Sequence, residues 1–180
     1  KAAAFGISDR IAESIFLQSL SIVGADSKIS IVRQPIEKPI IKLKTKPEVR
    51  IRIHENFAGK CLKLPQEISD VNFFMVNGAV AKVSELEHLF SLSSSSNSHY
   101  ILVSKSFNQE ILDVLSMNYM TGKLKIIPAE IGFDLDSINS LPDLVGVVGG
   151  LPLSSDMGDV ISGSHSDRFG YAEKVIIGRD

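Results

Sequence analysis

Apolar positions along this chain follow two rhythms, and the stretch from Tyr100 to Pro128 shows both within a few residues. YILVS is a short apolar run, the mark of a buried strand. FNQEILDVLSMNYMTG then spaces its apolar residues at helical intervals, and KLKIIPA returns to a strand pattern. The prediction is a strand, helix, strand unit. Its helix carries Ile111, Leu112, Val114, Leu115 and Met117, a wider apolar arc than one buried face needs. A helix packed on a sheet with apolar residues left over is a candidate surface for apolar partners.

Upstream, Ser8 is placed as an N-cap for a helix from Asp9 to Val23, with Gly24 closing it and Ile11, Ile15, Leu20 and Ile22 on its apolar side. KISIVR, residues 28–33, alternates like a strand. The prolines of the following segment exclude a helix, while IIKLK and VRIRI alternate at period two with basic residues on one face. That basic ladder reads as a solvated, edge-protecting face, or more sharply as an anion-binding one. No aromatic residue interleaves it, which argues against single-stranded nucleic acid.

HENFAGKCLKLPQEI shows no regular pattern. NFFMV predicts a buried strand and Asn77-Gly78 a turn. A helix is predicted from Val80, or from Ser84 if Ser84 and Glu87 form a capping box, with Val83, Leu86, Leu89, Phe90 and Leu92 at helical spacing. SLSSSSNS reads as a flexible, low-complexity loop. Toward the C-terminus the pattern predicts a short helical piece near Leu135–Leu141, an apolar strand at Leu144–Val148, a loop-rich stretch and a last strand at Lys174–Ile177. Alternating strands and helices predict an α/β layer fold with a largely parallel βαβ core, and the basic strands predict an added β layer.

Composition changes this picture little. The chain has 180 residues, 44% hydrophobic and 22% charged, with a formal net charge of -2, so no basic excess points to nucleic acid. Cys61 is the single cysteine, which excludes an intramolecular disulfide and fits a reducing compartment. No apolar run reaches membrane-spanning length, and the opening residues make a poor signal peptide. A first residue of Lys reads as a piece of a longer protein.

Candidate chemistry is sparse. His54, His88, His99 and His165 are scattered without metal-ligand spacing. Gly163 to Asp167 holds the letters of a catalytic triad, but adjacent residues cannot converge as one, so it reads as a polar turn. Asp134 and Asp136 read as helix caps rather than a cation site. Gly146–Gly150 is neither a phosphate loop nor a dinucleotide fingerprint and reads as a tight turn. Catalysis by this chain alone has no support in these residues.

The collinear blocks VSELEHLFS, HYILVSKSFNQEILDVLSMNYMTGKLKIIPAEIGF, INSLPDLVGVVGG, DVIS and GYAEKVIIGRD resemble the apical domain of a divergent group I, GroEL-type chaperonin. Asn118, Met120, Gly122, Lys125 and Gly132-Phe133 carry the match in the central block, and SDRIAESIFLQSLSIVGADSKISIV is similar to part of that family's intermediate domain. The resemblance implies an intermediate-domain fragment and linker at 1–47 and a substrate-binding apical domain at 48–180.

It further implies a hydrophobic groove between two helices that captures non-native polypeptides and the mobile loop of a co-chaperonin. Carried over, its residues are Leu86, Leu89 and Phe90 on the first helix and Leu112, Ser116 and Met117 on the second. Phe57 stands where the family has an aromatic loop, whose paired tyrosines are absent here, and Ser116 replaces an aliphatic residue. Leu112→Ser and Met117→Ser are expected to weaken capture while sparing thermal stability.

The resemblance places ATP and Mg²⁺ in an equatorial domain of the parent, so no cofactor, metal or catalytic residue is expected here, and no nucleic-acid or membrane partner. The parent would be a ring homo-oligomer and this piece a monomer, in a bacterial or phage-infected cytoplasm or an organelle matrix. Two other readings stay open: a structural or assembly protein that kept the fold without chaperone activity, and a phosphate-handling α/β enzyme.

Overall fold

The computed structural model describes residues 10–23, 49, 51–96, 98–131, 139–154, 157–163 and 166–178. The chain divides into two compact units, Lys1–Pro47 and Glu48–Asp180. In the first, helix α1 spans Arg10–Val23, inside the predicted helix. Its predicted caps Ser8 and Gly24, the strands at 28–33 and 40–44, Asp134, Asp136 and His165 lie outside the described residues.

The second unit is a mixed α/β fold. Its main sheet holds β1 (Arg52–Ile53), β2 (Gln66–Met75), β4 (His99–Ser104), β6 (Ile126–Glu130) and β7 (Gly170–Ile177) in the order β1-β6-β4-β2-β7. β3 (Ala79–Val80) and β5 (Ser106–Phe107) form a separate two-stranded parallel sheet. β2, β4 and β6 are parallel and form the centre, while β1 and β7 flank them antiparallel. Arg52–Ile53, the end of VRIRI, thus supplies an edge of the main sheet rather than an added layer.

The α-helices described are α1, α2 (Glu55–Cys61), α3 (Glu87–Ser95), α4 (Gln109–Met120) and α5 (Ser140–Val148). The predicted strand at Leu144–Val148 is therefore helical. Five consecutive apolar or glycine residues are too few to tell the two states apart by pattern, and a helix here needs to bury only Leu144, at 3% exposure, on this turn. The segment around Phe57, without visible pattern, forms α2. Its apolar content is too small for periodicity to show, and burial of Phe57 holds it in place.

The centre of the sheet is apolar on both faces, as expected for parallel strands covered on both sides. Ile101, Leu102, Val103, Ile126, Ile127 and Ala129 are buried to 1% exposure or less. Phe74 and Tyr100 meet the ring of Phe169 edge-on, at centroid distances of 5.2 and 6.0 Å. Two glycines lock the turn after α5 against the start of β7. Gly150 has φ +84°, and a Cβ there would lie 2.5 Å from the Gly170 nitrogen. A Cβ on Gly170 would in turn lie 2.6 Å from Val148 Cγ2. Only glycine permits this approach.

Topology puts α3 and α4 side by side. The path β2, α3, β4, α4, β6 advances across the sheet in one direction. Crossovers of one hand along that path place both helices on the same face, running parallel.

Candidate functional site

Between α3 and α4 lies a shallow groove of about 590 Å³. Phe90, Ser91 and Ser94 line it from α3, Val114 and Asn118 from α4, and Lys123 and Leu124 from the turn that follows α4. Ser94 follows Phe90 by four residues, and Asn118 follows Val114 by four. Each pair therefore occupies one helix face.

The turn that supplies Lys123 and Leu124 is a glycine C-cap. Gly122, at φ +71°, donates its N–H to Tyr119 O at 3.0 Å, and Lys123 donates to Asn118 O at 3.0 Å. This is the Schellman pattern, which needs a left-handed residue at the position Gly122 holds. The chain is thereby turned back across the end of the groove before it enters β6.

α3 is longer than its sequence predicts. The tract read as a flexible loop is helical through Ser95. Ser94 and Ser95 donate their hydroxyls to Ser91 O and Leu92 O, at 2.9 and 3.0 Å. Serine bonded to the helix backbone in this way fits inside a helix that tertiary contacts hold. Ser93 is 3% exposed, and its Oγ accepts the backbone N–H of Lys125 at 3.0 Å, tying α3 to the approach to β6. The signal was present as a row of inward positions: Leu86, Leu89 and Ser93. At the other end, Glu85 Oε2 accepts the backbone N–H groups of Ala81 and Lys82 at 2.9 and 3.0 Å. Glu85 thus takes the reciprocal role expected of Glu87, and Val83–Leu86 is a 3-10 turn leading into α3.

The residues expected to line a groove divide sharply. Phe90 lines it. Leu86 and Leu89 are corrected to core residues, at 0% and 2% exposure, because α3 turns them toward the sheet. Leu112, at 3%, is likewise buried, on the same side of α4 as Ile111 and Leu115. Phe57 is completely buried and meets Tyr119 edge-on at 5.2 Å, on the α2 side of α4.

Ser116 lies outside the lining, and its backbone carbonyl accepts the Cys61 thiol at 3.8 Å. Burial raises the pKa of that thiol and of the Tyr119 phenol. Both groups are therefore held in their neutral forms near neutral pH. Met117 is 69% exposed but lies outside the lining, about 60° round the helix from Val114 at 100° per residue. Ser91, Ser94, Lys123 and Leu124 are lining residues that sequence reasoning did not single out, while Val114 was named only within the apolar arc of α4 and Asn118 only as part of the resemblance.

The groove has an apolar floor from Phe90, Val114 and Leu124 and a polar wall from Ser91, Ser94, Asn118 and Lys123. Asn118 donates its amide Nδ2 to Val114 O at 2.8 Å, which fixes the amide orientation and leaves Oδ1 as an acceptor. Such a surface can bury apolar side chains while offering hydrogen bonds to an accompanying backbone. Among the described residues, no group of three or more His, Cys, Asp or Glu side chains could hold a metal ion, and no helix is long and apolar enough to cross a membrane.

No protein-family model matches the chain, and neither does any curated protein. The class established by the fold is mixed α/β, with a parallel three-stranded centre and two parallel helices on one face.

Proposed function

We propose that this chain is the polypeptide-binding apical part of a GroEL-type chaperonin, with a piece of its intermediate domain at 1–47. In this reading the α3–α4 groove captures apolar segments of non-native proteins and of a co-chaperonin. One observation carries it: two parallel helices leave an open groove whose floor is Phe90, Val114 and Leu124.

The energetics suit such a task. Removing apolar surface from water contributes about 25 cal/mol per Å² and is non-directional, so one groove accepts many sequences. Each contact is modest, and a ring presenting several copies would raise the overall affinity through effective concentration. ATP hydrolysis would belong to an equatorial domain of the parent, and this chain would bind no nucleotide. Tight ATP binding by calorimetry would overturn that part.

The groove itself is tested by capture of a labelled unfolded protein, competed by a short amphipathic peptide. Phe90→Ser and Val114→Ser together are expected to weaken capture at least about tenfold, from the loss of two buried apolar contacts. Capture at undiminished affinity by a variant that remains folded would rule the groove out.

A further inference from the structure

The groove has charge at both ends, and the charges differ in sign. Glu87 opens α3 and Glu110 lies in the first turn of α4. Because the helices are parallel, both glutamates lie at the same mouth. Glu87 precedes Phe90 and Ser91 by three and four residues, and Glu110 precedes Val114 by four, so each shares the face that lines the groove. Lys123 stands at the opposite mouth, on the glycine turn that closes α4. All three side chains belong to exposed residues. None takes part in an ion pair among the described residues, whose pairs are Arg168–Asp159 and Lys174–Glu67.

Resting on the polypeptide-binding reading, we infer that the groove selects segments of opposite end charge. The occupant is a stretch of another protein with an apolar centre, a carboxylate on the side that meets Lys123 and a cation on the side that meets Glu87 and Glu110. The apolar floor supplies affinity without direction. The end charges supply orientation, because a segment laid the wrong way sets like charges against each other. Exposed pairs are weak individually, so the selection is a preference of severalfold rather than an absolute gate.

The test uses the full 180-residue chain and four fluorescent peptides sharing one apolar centre: opposite end charges, two acidic ends, two basic ends and neutral ends. At low salt the oppositely charged peptide is expected to bind about two- to fivefold more tightly than either like-charged peptide. That ranking should flatten at high ionic strength, where charges at the surface are screened. Lys123→Glu should move the preference to the peptide with two basic ends. Equal binding of all four peptides at low salt, or an unchanged ranking in Lys123→Glu, overturns the charge selection and leaves the groove intact. If no peptide binds and Phe90→Ser changes nothing, the groove reading itself fails, and the charge selection with it.

Discussion

α4 presents two apolar arcs of unlike burial. Its inner arc, Ile111, Leu112 and Leu115, is 3% exposed or less. Its outer arc runs from Val114, half-buried in the groove floor, to Met117 at 69% exposure. In the linear sequence the arcs interleave and look alike. The difference teaches that surplus apolar character on a helix shows that some of its apolar residues stay accessible, but not which ones. α3 makes the same point from the other side, since its Leu86 and Leu89 hold the helix down while Phe90, one residue on, faces the groove.

The largest expected effect falls on the inner arc. Leu112→Ser places a hydroxyl where the side chain is 3% exposed and removes a buried isobutyl group. It should cost about 3–5 kcal/mol in urea unfolding, from cavity and desolvation together. That reverses the expectation that this change spares stability. A loss below about 1 kcal/mol would break the distinction between the arcs. Leu115→Ala, at a fully buried site, should cost about 2–5 kcal/mol and leave peptide affinity of the remaining folded protein unchanged.

A smaller effect tests the anchoring of α3. Ser93→Ala leaves the Lys125 N–H without its acceptor and should cost about 1–2 kcal/mol by the same measurement. If the tract were a loose loop, the change would be neutral. Met117→Ser, on the exposed side of α4, should shift stability by no more than about 0.5 kcal/mol.

The smallest effect is a pH dependence near the same anchor. Burial lowers the pKa of His99 below its ordinary 6.5, and the Lys125 charge adds to the effect, while the Ser69 backbone and Asp70 oppose it. The unfolded chain therefore takes up the proton first as pH falls. The His99 contribution is complete above about pH 6.5 and is lost as pH drops from there toward the lowered folded value. His99→Asn should flatten that part of the midpoint-versus-pH curve, and an unchanged slope would assign it to other groups.

Local pattern was sufficient where one environment governed a whole segment. β4 and β6 run through the centre of the sheet, so their apolar runs could be read as strands without knowing their neighbours. The same holds for α4, whose length and periodicity leave one assignment. Pattern failed where a short element depends on a distant partner. α2 is held by the burial of Phe57, and α5 is an apolar run whose helical state is set by packing of Leu144. The serines of α3 form a helix because Ser93 meets the Lys125 backbone 32 residues away.

By itself, the sequence determined the α/β alternation, the parallel centre and the presence of a helix with apolar surface to spare. These follow from side-chain period, which is a local property. Tertiary structure decided which apolar residues remain accessible. The one-directional path β2, β4, β6 sets α3 beside α4, turns Leu86, Leu89 and Leu112 inward, and leaves Phe90, Val114 and Leu124 as the floor between two mouths of opposite charge. Accessibility depends on what covers a side chain, and the covering elements lie far away along the chain.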